Sequence, residues 1–173
     1  MTADLAVAAA DVLNRLRARG MMVATAESCT GGLIAAALTA IAGSSDVVDR
    51  GFVTYSNAAK TEMLGVDPAL IRLHGAVSAP VAAAMAQGAL QRSQASSTIA
   101  VTGVAGPGGG TPDKPVGTVW FGLATRGAAV QTEVKVFPGN RDDVRAATVL
   151  HALHMLSRAC DSGRDHTSPA RTL

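Results

Sequence analysis

Short apolar runs that pass through small polar turns into alanine-rich segments are the feature that most constrains this fold. The run "MMVATA" continues through "ESCT" into "GGLIAAALTAIAG", and "RGFVTYS" continues into "NAAKTEMLG", with Asn57 as the expected helix cap. Such runs are typical of buried strands, and the segments after them have the spacing of helices. Strand, turn and helix therefore alternate, which predicts an α/β fold.

The remaining segments extend this pattern. Helical spacing marks "LAVAAADVLNRL", and "SAPVAAAMAQGALQRS" predicts a helix with Ser78 at its cap. A third buried strand is expected at "STIAVTG", a β-hairpin at "TVWFGLAT" and "VQTEVKVF", and a closing helix at "NRDDVRAATVLHALHMLSRA". We therefore expect a three-layer α/β/α fold with a mixed, mostly parallel sheet and a C-terminal β-hairpin plus helix.

Composition predicts one compact domain with a core of small side chains. Of 173 residues, 48% are hydrophobic but only 3% are aromatic, so alanine, valine, leucine and isoleucine must fill the core. We expect one domain over residues 1–161 and a disordered tail over residues 162–173. The formal charge of +2 comes partly from that tail, so nothing favours a nucleic-acid partner.

The sequence favours a cytoplasmic protein without a membrane segment. Cys29 and Cys160 form neither a Cys-x-x-Cys pair nor a secreted disulfide framework. Asp4 lies where a signal peptide would carry positive charge, so the N-terminus has the pattern of mature protein. The longest apolar stretch, "LIAAALTAIA", is about half of the roughly 20 residues that span a bilayer.

Three loops lie where strands meet helices, which is where open α/β sheets bind ligands. They are "AESCTGG", "TYSNAAK" and the glycine-rich "VTGVAGPGGG". Ser28 in the first loop could act as a nucleophile, with free backbone N–H groups of the following helix stabilising an oxyanion or phosphate. The alternative interpretation makes Ser28 or Thr30 an ordinary helix cap and the glycines packing residues.

Lys60 is the best candidate for the base that a serine nucleophile needs. In the first turn of a helix, both the dipole and burial would lower the pKa of Lys60, and a neutral lysine can accept the serine proton. Tyr55 could relay that proton or orient the lysine. The alternative is a solvated helix lysine and a strand tyrosine.

Other common catalytic and cofactor motifs are absent. The glycine-rich loop does not fit G-x-G-x-x-G, so no dinucleotide cofactor is expected, and Ser28 and Lys60 are too far apart for Ser-x-x-Lys. We expect no metal, because the histidines lie outside the hydroxyl-rich turns and are too sparse for a metal site: His74, His151, His154 and His166. Arg141 and Arg145 could bind a phosphate, but structural pairing with Asp142 and Glu133 is favoured.

Several long motifs together resemble one known family. They are "AESCTGGLIAAALT", "DRGFVTYSNAAKTEMLGV", "HGAVS", "VTGVAGPGGGTPDKPVGTVWFGLAT" and "FPGNRDDVR". These are similar to the CinA C-terminal domain family, the nicotinamide-nucleotide amidohydrolases, over residues 5–158. The resemblance implies hydrolysis of nicotinamide mononucleotide to nicotinate mononucleotide and ammonia, without a cofactor, in pyridine-nucleotide recycling.

The resemblance also implies roles for individual residues. Ser28 would be the nucleophile, with Tyr55 and Lys60 as its activating partners. The family's G-D-R segment reads "GNR" here, so Arg141 carries over while Asn140 replaces the aspartate. The residues implied to contact the substrate are Thr30, Gly31, Gly32, Thr102, Gly103, Gly106, Gly108 and Arg141.

Two hypotheses of different classes remain at this point. The first is a metal-independent serine amidohydrolase acting on a pyridine mononucleotide. The second is a non-catalytic nucleotide-binding or competence-related interaction module that uses the same loops to hold a phosphate. Longer family members carry an additional N-terminal domain with pyrophosphatase activity, for which this chain has no room, so only the amidase is expected. The small apolar helix faces are compatible with a homodimer.

Overall fold

One five-stranded mixed sheet organises residues 2–162, the part of the chain described by this computed structural model. The strands, in the order β2-β1-β3-β4-β5, are β1 (Val23–Glu27), β2 (Val48–Val53), β3 (Ser97–Gly103), β4 (Thr118–Thr125) and β5 (Gln131–Val136). β1 pairs in parallel with β2 and β3, whereas β4 is antiparallel to both β3 and β5. The mixed sheet and the β-hairpin are thus confirmed. The tail predicted to be disordered lies outside the described residues from residue 163 onward.

Helices cover both faces of the sheet and complete the three predicted layers. One face carries α1 (Ala3–Ala18), α2 (Leu33–Thr39) and α6 (Arg141–Ser162). The other face carries α3 (Asn57–Leu64), α4 (Pro68–His74) and α5 (Ala79–Gln91). Within residues 2–162, no helix is both long and apolar enough to cross a bilayer.

Two apolar cores lie on opposite faces of the sheet. The first core packs α1, α2 and α6 against the strands through residues such as Leu13, Ile34 and Phe121. The second core packs α3, α4 and α5 through residues such as Leu64 and Met85. Each fully buried side chain of this size stabilises the fold by about 1.5–3 kcal/mol. Small residues also allow close approach, because a Cβ atom at Gly122 of β4 would collide with the carbonyl of Ala82 in α5.

Helix ends differ in detail from the sequence-based expectation. Ser56, not Asn57, caps α3, because its hydroxyl accepts a hydrogen bond from the amide of Ala59 at 3.0 Å. Ser78 is the N-cap residue of α5 as predicted, but its hydroxyl donates to the carbonyl of Gly75 and makes no capping hydrogen bond to the helix amides. α2 (Leu33–Thr39) is shorter than its alanine-rich pattern, and its start follows Gly32, which adopts a left-handed φ of 102°.

Candidate active site

Ser28 stands at the end of β1, in a tight turn that leads into α2. Its backbone amide donates to the carbonyl of Val101 on the neighbouring strand β3 at 3.0 Å. Gly31 and Gly32 follow with positive φ values of 61° and 102°, which side chains with a Cβ atom rarely adopt. The turn therefore presents the Ser28 side chain at the edge of the sheet, where it is 9% exposed.

Lys60 meets Ser28 from the adjacent loop and helix. Its Nζ atom lies 3.0 Å from Ser28 Oγ and 3.0 Å from the carbonyl oxygen of Thr54. The amide of Thr54 donates to the carbonyl of Glu27 at 2.8 Å, which extends the β1–β2 pairing into the two loops. The parallel neighbours β1 and β2 thus bring these two loops together, as the sequence predicts.

Burial shifts the acid–base balance of Lys60 towards the neutral amine. The residue is only 1% exposed, and this burial lowers the pKa of its amine. The neighbouring thiol of Cys29 provides no counter-charge at neutral pH, because burial raises the pKa of Cys29 to about 11. Nζ can donate to both Ser28 Oγ and the carbonyl of Thr54. When the amine is neutral, its lone pair can instead accept the Ser28 proton while Nζ still donates to Thr54.

Glu27 is a site residue that the sequence reasoning missed. It is fully buried, and its carboxylate accepts hydrogen bonds from the amides of Gly32, Ile34 and Ala35 at 2.8–3.0 Å. The expectation that these first amides of α2 are free for an oxyanion or a phosphate is therefore wrong. The available signal was an acidic residue at the end of an apolar run, since a buried carboxylate requires partners.

The hydroxyls of the two candidate threonines are engaged within the protein. Thr30 is fully buried, and its hydroxyl donates to Glu27 at 2.6 Å. Thr102 is 1% exposed and donates to the carbonyl of Ala76 at 2.8 Å. Direct contact of either hydroxyl with a substrate would require these bonds to break, so a structural role fits both side chains better.

Tyr55 and Arg141 join the second loop to the glycine-rich loop. Arg141 donates from Nη2 to the Tyr55 hydroxyl at 2.9 Å and from Nη1 to the carbonyl of Gly106 at 2.8 Å. Tyr55 is 61% exposed, and within residues 2–162 its hydroxyl makes no hydrogen bond to Lys60 or Ser28. The geometry thus places Tyr55 beside Arg141 and leaves it without the contact that a proton relay to Lys60 needs.

The glycine-rich loop lies beside the hydrogen bond between Tyr55 and Arg141. Gly103 ends β3, Gly106 has a φ of 84°, and Gly108 is exposed. Among the described residues, the amides of Gly106 and Gly108 donate to no protein acceptor. Gly106 is buried, so the exposed amide of Gly108, next to the Arg141 guanidinium, is the group of this pair that can bind a phosphate.

Comparison with known proteins agrees with this architecture. The CinA C-terminal domain family matches residues 5–160. The chain belongs to this family. A CinA-like protein of Mycolicibacterium vanbaalenii is 59% identical over 144 residues, which cover 83% of this chain and 34% of that protein. A putative competence-damage inducible protein of Symbiobacterium thermophilum is 54% identical over 151 residues, covering 83% of this chain and 35% of that protein. The chain thus spans about a third of the length of these relatives.

Solved structures of CinA-family proteins share the fold. The competence/damage inducible protein CihA from Agrobacterium tumefaciens has a TM-score of 0.89 at 49% identity, with 93% of this chain and 98% of that chain covered. The competence damage-inducible protein A from Klebsiella pneumoniae has a TM-score of 0.89 at 40% identity, with coverage of 92% and 99%. In these two structures the matched domain accounts for nearly the whole chain.

Other charged residues of this CinA domain have structural partners. Arg145 donates to the carbonyl of Thr30 at 3.1 Å and lies 3.9 Å from Asp142. Glu133 pairs with Lys135, His151 and Arg158, and not with either arginine of the α6 N-terminus. Within residues 2–162, no three His, Cys, Asp or Glu side chains are placed to hold a metal ion.

Proposed function

We propose that this chain is a serine amidohydrolase in which Ser28 is the nucleophile and Lys60 the general base. The observation that carries this proposal is the 3.0 Å contact between Lys60 Nζ and Ser28 Oγ in a buried setting. The family resemblance supplies the substrate, nicotinamide mononucleotide, with nicotinate mononucleotide and ammonia as products. We place this reaction in the cytoplasm, in pyridine-nucleotide recycling.

Acylation begins with neutral Lys60. As Ser28 Oγ attacks the carboxamide carbon, the serine proton passes to Lys60 Nζ and a tetrahedral intermediate forms. Its collapse breaks the C–N bond, and the protonated lysine gives its proton to the leaving nitrogen, so ammonia departs. The carbonyl of Thr54 holds Nζ in place during both proton transfers, because it accepts a hydrogen bond from the neutral and the protonated amine alike.

Deacylation repeats these steps with water. Lys60 takes a proton from a water molecule that attacks the ester carbon, and then returns a proton to Ser28 Oγ as the C–O bond breaks. The product forms as a carboxylic acid and leaves as a carboxylate after losing its proton to solvent, where the released ammonia can take it up. One water is consumed and one ammonia is released, so the enzyme ends in its starting state.

The nucleotide's phosphate fits the surface formed by Arg141 and the glycine-rich loop. A guanidinium matches phosphate geometry, and the exposed amide of Gly108 supplies a further donor. The exposed ring of Tyr55 lies beside this surface and holds Arg141 through its hydroxyl. Tyr55 then serves substrate binding and not the proton relay.

A binding or competence-related module without catalysis is the competing function, and the names of several relatives contain the word competence. Such a module needs a surface that binds phosphate, but binding alone does not require a lysine buried against a serine. Burying an amine that has no charged partner is costly, so a merely structural site would be expected to avoid it.

Release of ammonia from nicotinamide mononucleotide distinguishes the two functions. We expect Ser28→Ala to abolish release while circular dichroism and thermal unfolding remain close to wild type, because alanine fits the turn but provides no nucleophile. Ser44→Ala is a matched control, since Ser44 is also buried and lies outside the site. Near-full activity of Ser28→Ala would refute the serine mechanism, and an inactive wild type would favour the binding module.

A further inference from the structure

The Glu27 carboxylate makes five hydrogen bonds, yet the proposed mechanism assigns it no step. Its Oε2 atom accepts from the Thr30 hydroxyl at 2.6 Å and from the amides of Gly32 and Ile34 at 3.0 Å each. Its Oε1 atom accepts from the Thr25 hydroxyl at 3.1 Å and from the amide of Ala35 at 2.8 Å. All three amides can only donate, so both oxygens of Glu27 must act as acceptors, as those of a carboxylate do.

The same residue is linked to both members of the Ser28–Lys60 pair. Ser28 is its direct neighbour, and Thr30, two residues further, is tied to its side chain. Its own carbonyl accepts from the amide of Thr54, whose carbonyl in turn accepts from Lys60 Nζ. The side chain of Glu27 thus connects to the Ser28 turn and to α2, and its backbone connects to Thr54, which accepts the hydrogen bond from Lys60.

We propose that Glu27 is a positioning residue that holds Ser28 at hydrogen-bond distance from Lys60. This inference rests on the proposed function, because it gives the buried carboxylate a role in the same reaction. The carboxylate anchors the turn at Thr30 and the first amides of α2, and the partial positive charge of the helix start favours an anion there. The oxyanion of the tetrahedral intermediate must consequently find its donors elsewhere than at Gly32, Ile34 and Ala35.

Replacement by glutamine should therefore misplace the nucleophile without changing the base. A carboxamide keeps one acceptor oxygen, but its NH₂ group must then face a backbone N–H, which repels it. We expect Glu27→Gln to lower kcat by at least about tenfold, because small displacements of a reacting group have effects of this order or larger. KM and the apparent pKa of the pH profile should stay near wild type, because the phosphate surface and Lys60 are unchanged.

Two further variants make the test specific. Thr30→Val removes only the link between the carboxylate and the nucleophile turn, and its effect should follow that of Glu27→Gln. Thr25→Val removes one hydrogen bond on the strand side and leaves the turn and helix contacts in place, so it is the matched control and should retain most of kcat. If Glu27→Gln fails to fold, Thr30→Val still decides the question.

Three measurements on the purified chain test the proposal: kcat and KM with nicotinamide mononucleotide across pH, the rate at which a fluorophosphonate labels Ser28, and hydrogen exchange at residues 32–35. We expect slower labelling and faster exchange in Glu27→Gln. Undiminished labelling and kcat in a folded Glu27→Gln, or equal losses in Thr25→Val, would overturn the positioning role alone. A wild type that is neither active nor labelled would refute the proposed function and with it any role in positioning.

Discussion

Replacing Lys60 with methionine tests whether the buried amine is neutral, because it changes how the free energy of unfolding depends on pH. Lys60 is 1% exposed, burial lowers its pKa, and its hydrogen-bond partners are the uncharged Ser28 hydroxyl and Thr54 carbonyl. Methionine has a similar length and fills an irregular apolar space, but carries no titratable proton. The pH-dependent difference between the two proteins therefore reports on the Lys60 amine alone.

The sign and size of that difference follow from proton linkage. Between its lowered folded pKa and the ordinary value of about 10.4, Lys60 binds more protons in the unfolded chain than in the folded one. Wild-type stability should therefore rise with pH in this window, relative to Lys60→Met, by about 1.4 kcal/mol per pH unit. The cost of burying the amine is fully present below the folded pKa and is absent above about pH 10.4.

Urea unfolding of both proteins at intervals from about pH 6 to 10.5 measures this difference. Lys114→Met, a partly exposed lysine outside the Ser28–Lys60 pair, controls for the loss of one positive charge. Parallel stability curves for wild type and Lys60→Met across the whole range would refute the reasoning. Lys60 would then keep its ordinary pKa, remain charged at neutral pH, and be unable to accept the serine proton.

Kinetics, substrate truncation and chelation test the remaining parts of the site. The value of kcat/KM should rise with pH through an apparent pKa below about 10.4, and Lys60→Arg should be nearly as inactive as Lys60→Ala because a guanidinium does not deprotonate. An arginine variant that keeps most of the rate would contradict the role of Lys60 as base. Arg141→Ala should raise KM for the mononucleotide by about tenfold, since a charged hydrogen bond contributes roughly 1.5–3 kcal/mol, but change little for the nucleoside. Equal losses on both substrates would mean that Arg141 is structural. EDTA should leave the rate unchanged, because no metal-binding cluster occurs in residues 2–162; a loss restored by one divalent ion would contradict this.

The convergence of the loops is the part of the site that sequence patterns predict well. Apolar runs followed by helical spacing identify β1, β2 and β3, and parallel strands end at the same edge of a sheet. Ser28 and Lys60 both lie within a few residues of such an end, so their proximity follows from topology. Their hydrogen bond does not follow from topology alone, because Lys60 must also lie on the side of α3 that faces the end of β1.

Contacts that depend on side-chain direction were not predictable in the same way. Tyr55 and Arg141 are 86 residues apart, and nothing in either local pattern indicates that they meet. A glutamate at the end of an apolar run has the same pattern whether it points to solvent or into the protein. Glu27 is buried because helices cover both faces of the sheet at this point. The first amides of α2 then serve as its hydrogen-bond partners.

Ser28 and Lys60 are anchored on opposite sides of the sheet. The turn of Ser28 leads into α2, whose Ile34 is buried in the first core, whereas α3 carries Lys60 and buries Leu64 in the second core. Their 3.0 Å contact exists only while both helix layers keep their places, and a slip of about 1 Å in either layer breaks it. Heating that displaces either layer by this distance should therefore stop catalysis, so loss of activity should begin no later than loss of the helical circular-dichroism signal.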